Sequence, residues 1–393
     1  MERHGCDIAI IGGGLAGGLA ALALTRRRPD LRLRVVEEGE SPGGNHRWSW
    51  FASDLSPEGT ALMDAFPQAR WANGYDVAFP SRSGHLPTPY RSLASHDFAA
   101  TLMDALPDGT VLTGCAAVAV DAGSVTLASG ERIAAGAVID ARGLSGSGHL
   151  TGGWQVFMGR TLCLHTPHGV TRPLIMDARV EQIGGYRFVY VLPLSERDIF
   201  IEDTYYQDAP LLDRAALSAR LDAYAVLHGW EGEVMGEETG VLPVITGGDF
   251  AMFQAEMRTP GVAAIGVRGG FTHPLTSYTL PFAVETALAV AEAASLPGPA
   301  LAEMIEDRAR RHWRTTGFYR LLGTMLFGAA EPEERWHVFA RFYGLQAPLI
   351  ERFYAARSTL KDRARILCGR PPVPIGKAIA ALTGSQPPLK DAA

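Results

Sequence analysis

A chain of 393 residues, 47% hydrophobic and with a formal net charge of −6, has room for two or three domains around a large core. It holds no run of about eighteen uninterrupted apolar residues, and neither a basic leader nor a cleavage pattern, so no transmembrane helix and no signal peptide are expected. Its four cysteines (Cys6, Cys115, Cys163, Cys368) are scattered without a CxxC. That spacing excludes a recognisable zinc site, fits a reducing cytoplasm and predicts buried, inert thiols. Charge is uneven, because residues 300–393 carry 15 Lys plus Arg against 9 Asp plus Glu on an otherwise acidic body. A basic C-terminal part of this kind suits an anionic surface.

The first predicted elements are the most informative. Asp7-Ile8-Ala9-Ile10-Ile11 reads as an apolar strand running into Gly12-Gly13-Gly14-Leu15-Ala16-Gly17. A helix to about Leu24 follows, then a strand from Leu31 to Val36 that ends on Glu37. Gly12 permits a tight turn, Gly14 lets the backbone approach a pyrophosphate, and Gly17 lets the helix pack on the strand. The helix start offers free N–H groups and partial positive charge to phosphates. Glu37 stands where a carboxylate accepts ribose hydroxyls, so the segment predicts a dinucleotide site without a 2′-phosphate.

Residues 41–50 read as a loop, 58–72 as a helix, Tyr75–Phe79 and the Pro-rich stretch to Pro89 as extended edge structure. Tyr90-Arg91-Ser92 opens a helical segment, Ala94–Ala105. Short strands follow at Val111–Leu112, Ala116–Val120, Ser124–Leu127 and Arg132–Ile133, before the apolar run Ala137–Gly143. Trp154–Met158, Thr161–Leu164, Pro173–Met176, Tyr186–Leu192 and Ile199–Tyr205 are β-branched and aromatic runs, which predict a mostly antiparallel sheet with a helix, Leu211–Leu227, embedded in it. Val262–Gly266 returns to a buried strand, followed by a Gly/Pro loop and a helix from Pro281 to Ala294. From Leu301 onward the pattern is helical, and the Pro-rich tail after Pro371 is expected to fray.

The return segment, Gly266 to Tyr278, repeats the order strand, glycine loop, helix start, which two-motif FAD proteins use beside the ribityl chain and ring. The fold class is therefore α/β: a Rossmann-type two-motif FAD-binding fold with an inserted antiparallel β-sheet substrate domain and a C-terminal helical segment. Residues 1–80, 90–153 and 256–300 make the discontinuous FAD-binding domain. Residues 154–255 with 81–89 make the β-rich substrate domain, and 301–393 the helical, membrane-facing segment.

Several blocks are similar to those of bacterial lycopene β-cyclases, and the resemblance covers nearly the whole chain. They are Gly12–Gly17, Gly43–Ser49, Pro173–Ala178, Gly185–Ser195, Ile201–Tyr206, the 268–281 loop, Arg341–Leu345 and Pro371–Pro374. Arg268 departs from the pattern, standing where related flavoproteins usually have the acid of a Gly-Asp pair, so their ribityl contact is not implied here. Ser277 and Thr279 vary the loop before the helix without an expected change in chemistry.

The resemblance implies reduced FAD, with NAD(P)H as external reductant, and a reaction without net redox that closes the acyclic ends of lycopene into β-rings. A proton added at C2 leaves a cation, the 5,6-double bond attacks it, and loss of the C6 proton sets the ring double bond. Glu202 is the expected proton-transfer residue, at the end of an apolar strand that should raise its pKa. Read alone, Glu202-Asp203 also fits a solvated turn. Neighbouring strand residues face opposite ways, so Asp203 is a helper or structural hydrogen-bonder, and His273 ranks behind Glu202. Cofactor contacts are expected from Gly12, Gly13, Gly14, Leu15, Ala16, Gly17, Glu37, Arg91, Gly269, Gly270 and Tyr278, and no metal is expected. Trp48, Trp50 and the aromatics at 336–354 could line a polyene tunnel or pack a core. The partners are a long polyene hydrocarbon and, through the basic segment 301–357, the anionic inner face of the cell membrane, with no nucleic acid. The rival readings are an FAD-dependent reductase or hydroxylase acting on an isoprenoid lipid, and a flavin-bearing membrane scaffold.

Overall fold

The computed structural model describes residues 2–144, 146–369, 373–384 and 387–389. Pro371 and Pro372, in the last resemblance block, lie outside them, as does Ser145. At the centre of the first layer the strand Glu2–Ile11 pairs in parallel with Leu33–Val36 on one side and Arg132–Asp140 on the other. Ile8, Ala9, Ile10 and Ile11 are all buried, as a strand covered on both faces requires. The helices Leu15–Arg27 and Leu280–Glu292 pack against each other over this layer through Leu19, Leu22, Ala287 and Val290. Arg132–Ile133 and Ala137–Ile139 are parts of one nine-residue strand, whose end is joined in parallel by Ala263–Ala264.

The second layer is an eight-stranded sheet ordered Gly232–Gly248, Ser147–Leu164, Asp198–Gln207, Tyr186–Pro193, Leu174–Asp177, Tyr75–Phe79, Arg82–Leu86, with Pro388–Leu389 paired beside Ser147–Leu164. Its pairings are antiparallel except between Leu174–Asp177 and Tyr75–Phe79. Two expectations change here, and one strand had no counterpart among them. Trp154–Met158 and Thr161–Leu164 belong to a single 18-residue strand. Tyr75–Phe79 is an interior strand bonded on both sides, with Arg82–Leu86 as the edge. Gly232–Gly248 carries little apolar signal in its exposed first half, yet pairs along the whole of Leu150–Leu164.

A three-stranded sheet of Arg47–Phe51, Tyr90–Ala94 and Ala69–Trp71 bridges the layers. Thus Tyr90-Arg91-Ser92 is a strand and not a helix opening, half of the 41–50 loop is a strand, and the 58–72 helix stops at Met63. Burial decides this: Phe51, Tyr75 and Tyr90 pack their rings together at tilted angles, and only extended backbone lets alternate residues reach that cluster. In the C-terminal part, Gly298–Thr315 buries Leu301 and Ile305 against the parallel layer, while Phe339, Phe353 and Tyr354 complete an aromatic core with Tyr186 and Tyr206. The tail forms a helix, Ile375–Thr383, packed on Gly317–Ala329. Among the described residues no helix is long and apolar enough to cross a membrane. Of the cysteines Cys6 alone is buried; Cys115 and Cys163 are half-buried and Cys368 is exposed, contrary to the expected burial of all four.

Candidate active site

A cavity of about 600 Å³ lies where the glycine turn of the first layer faces the second sheet. Its wall takes Gly12, Gly14, Leu15, Ala16 and Glu37 from the first, and Gln155, Phe157, Tyr190, Phe200, Glu202 and Glu238 from the second. Trp48 and Tyr90 from the bridging sheet and Tyr278 from the return loop close it.

Gly12 adopts φ +92°, and a side chain there would press on the Ala141 carbonyl, so the turn admits only glycine. A Cβ at Gly17 would collide with the carbonyl of Gly12, which fixes how closely the helix sits on the turn. Around Gly14 there is open space. Gly14 caps the Leu15–Arg27 helix without a side-chain bond, which leaves the amides at the helix start with donor capacity and positive potential. The Glu37 carboxylate accepts the N–H groups of Gly13 at 2.6 Å and Gly39 at 2.8 Å, so it is held over the turn. These groups fit the pyrophosphate and ribose of a dinucleotide. Gln155 Oε1 and Thr276 Oγ1, buried in the cavity wall, have no hydrogen-bond partner among the described residues and suit a polar ligand edge.

At the sheet, Glu202 and Glu238 occupy the same register position on either side of the central strand, both opposite Gly159. Their carboxyl groups interact across Gly159, and Glu202 also accepts the Thr204 hydroxyl at 2.7 Å. Burial is the main cause that pushes Glu202 up to about 7, and burial followed by the negative charge of Glu202 drives Glu238 well above the carboxylate range. The Arg47 guanidinium, 5.3 Å from the Phe200 ring centre, opposes both shifts electrostatically.

Asp203 points to the opposite face, where it accepts Arg187 Nε and the Tyr205 hydroxyl, both at 2.8 Å. His273 is fully buried behind the wall. Its Nδ1 accepts the N–H groups of Leu275 and Thr276 while Nε2 lies 3.0 Å from the Phe353 carbonyl, and burial pushes its pKa down to about 3. It shapes the return loop as a neutral ring and does not line the cavity. Arg91 turns toward Asp64 and Gln68, 3.5 Å from each, and is also absent from the wall. Gly269 and Gly270 pack behind the wall against the Ala264 carbonyl and Phe250; Gly266 and Val267 face the cavity in their place. The Tyr278 hydroxyl does reach it, 3.4 Å from that of Tyr90 and 3.3 Å from that of Tyr190. Arg268 lies 2.9 Å from Asp140, which also takes two bonds from Arg142, so its charge is spent within the protein. Trp48 lines the cavity whereas Trp50 is core.

Sequence reasoning missed Glu238, Arg47, Tyr90 and Tyr190. For Glu238 the only signal was Glu237-Glu238 between glycines, which resembles an exposed turn until the strand pairing is known.

A family model described as "Lycopene cyclase protein" matches residues 7–380. A protein from Pseudescherichia vulneris named "Lycopene beta-cyclase" is 45% identical over 386 residues, covering 98% of this chain and 99% of its own. One of the same name from Paracoccus sp. is 42% identical over 387 residues, covering 98% and 99%. Among solved structures, the flavin-dependent brominase Bmp2 superposes with a TM-score of 0.64 at 15% identity, covering 92% of this chain and 97% of its own, which establishes a common fold.

Proposed function

The chain belongs to the lycopene cyclase family, and from that membership we propose that it is a lycopene β-cyclase, an isomerase that closes both acyclic ends of lycopene through γ-carotene to β-carotene. One observation carries the reading: a carboxyl with a raised pKa, Glu202, stands in the wall of the cavity that also contains the Gly12–Ala16 turn. Residues 1–80, 90–153 and 256–300 serve the cofactor, with the 75–79 strand lent to the substrate sheet formed by 154–255 and 81–89.

Gly12 to Gly17, Glu37 and Tyr278 would hold FAD, which in its reduced, anionic form supplies an electron-rich ring that favours nearby positive charge. The protein's own residues do the rest. Glu202, kept protonated near neutrality by its burial, delivers a proton to C2 of an end group. Phe157, Phe200, Trp48 and the three tyrosines exclude water and turn π-faces toward the carbocation. Asp203 holds Arg187 and the strand behind Glu202, and does not touch substrate. An external reductant such as NAD(P)H is needed only to charge the cofactor.

Anaerobic incubation of the FAD-loaded, photoreduced protein with lycopene should yield β-rings without stoichiometric consumption of reductant, and Glu202→Gln should abolish ring formation while FAD stays bound. Reductant or oxygen used in proportion to product would support the redox alternative instead. A hydrocarbon substrate requires contact with lipid. The exposed stripe Ile375, Ile379 and Leu382 on one helix, with Leu360 and Leu367 on the preceding one and Lys361, Arg365 and Lys377 nearby, is suited to an anionic bilayer. The 301–357 segment fits that role less well, since it buries its apolar side chains within the protein.

A further inference from the structure

We propose that Glu202 and Glu238 work as one proton-sharing pair, which keeps a single proton between them at the cavity wall and so presents an acid and a base to the substrate in one place. This rests on the cyclase reading above. The geometry is built into the sheet. Glu202 and Glu238 flank Gly159 on the central strand, and in an antiparallel sheet residues at one register position share a face. A side chain at Gly159 would strike the Phe200 ring and press within 3.0 Å of Glu238 Cγ. Glycine therefore leaves the gap across which the two carboxyls meet. Glu238 is 7% exposed, and both line the cavity.

Two buried carboxylates set side by side repel strongly, so one of the two keeps its proton. The pair thus offers an acid and a base in one place. When Glu202 gives its proton to C2, the pair carries two negative charges facing the carbocation, with Arg47 beside them. When the ring closes, the proton lost from C6 returns to the pair, which ends with the single proton it began with. No oxidant or reductant enters this balance. The groups that bear on the pair are Arg47 and Tyr90 from the bridging sheet, the Thr204 hydroxyl, and Tyr190, which is paired opposite Glu202 on the neighbouring strand. Asp203 acts from the opposite face, where it is tied to Arg187. Glu237, next in the chain, is engaged by Arg160 at 2.7 Å.

The test is the pH profile of β-ring formation by reduced, FAD-loaded protein. Wild type should give a bell, its alkaline limb set by loss of the shared proton. Glu238→Gln removes the second proton site, so Glu202 is left to titrate as a single carboxyl. The two-limbed profile should collapse to a single limb, with kcat reduced by about 10- to 100-fold. KM for lycopene and the flavin spectrum should stay as in wild type, and Glu238→Asp should restore part of the bell. An unchanged profile and kcat in Glu238→Gln would overturn the pair. Wild-type protein that forms no β-rings would overturn the cyclase reading on which it rests.

Discussion

Replacing Asp203 by Asn separates the two roles that an acidic dipeptide at a strand end invites. Asp203 is fully buried, with its two oxygens bound to Arg187 and Tyr205, and Arg187 itself is only 7% exposed at its side chain. Asn keeps the shape and one acceptor but leaves the guanidinium without its counter-charge. Removing one partner of a buried ion pair costs about 3 kcal/mol or more, because the remaining charge is stranded. That is roughly a hundredfold in the ratio of folded to unfolded chains. For a chain of this length unfolding as one unit, with an unfolding entropy of roughly 0.8 kcal/mol/K, the melting midpoint should fall by about 4 °C. Urea unfolding followed by tryptophan fluorescence measures the loss. The turnover of the surviving folded enzyme should remain within a few-fold of wild type, since Asp203 faces away from the cavity. Asp203→Leu combined with Arg187→Met should recover much of the stability, as apolar replacements of buried pairs often do. A variant of wild-type stability whose kcat fell a hundredfold would show that the carboxylate works on the substrate after all.

Gly17→Ala must displace the helix start from the Gly12 carbonyl, so both the melting midpoint and flavin affinity should fall. Gly14→Ala, whose methyl meets no protein atom but enters the space of the pyrophosphate, should instead melt as wild type and bind flavin at least about tenfold more weakly; thermal melts and equilibrium dialysis compare them. His273 is held neutral by burial, with its folded pKa lowered from 6.5 to about 3. Its contribution is therefore present above pH 6.5 and is lost as pH falls toward 3, because the unfolded chain binds a proton there first. In urea titrations between pH 6 and 4, His273→Gln should flatten the acid loss of stability by about one proton relative to wild type, and parallel slopes would refute this. Replacing Ile375, Ile379 and Leu382 with Ser should weaken binding to vesicles containing anionic lipid, and leave ring formation from detergent-dispersed lycopene near normal; unchanged flotation would move the lipid contact elsewhere.

The nucleotide turn was legible because its requirements are local. A strand of Ile and Ala, a left-handed Gly12 and a close-packed Gly17 each follow from backbone sterics within a dozen residues. Glu202 was legible only through the resemblance, because Glu202-Asp203 read alone also fits a solvated turn, whereas the strand runs on to Gln207. The three-stranded bridging sheet was hidden because Tyr90-Arg91-Ser92 and Arg47–Phe51 are as compatible with a helix start or a loop as with strands. Their conformation is imposed by the ring cluster of Phe51, Tyr75 and Tyr90, whose members lie up to 39 positions apart.

Glu238 was hidden for a related reason. Nothing within its own strand marks it, since the flanking Gly236, Glu237, Thr239 and Gly240 are polar or small. Its meaning arises from pairing with Ser147–Leu164, about 80 residues earlier, at the one register that sets it across Gly159 from Glu202. A shift by one residue would turn Glu237 inward and send Glu238 to the opposite face. The same shift would take Glu237 away from Arg160, which is 9% exposed at its side chain, and leave that arginine only Asp222 and Ser218. The salt bridge on one face thus helps to secure the carboxyl pair on the other, so Arg160→Met should disturb the pH profile of the reaction without touching the cavity, and an unaltered profile would count against that coupling.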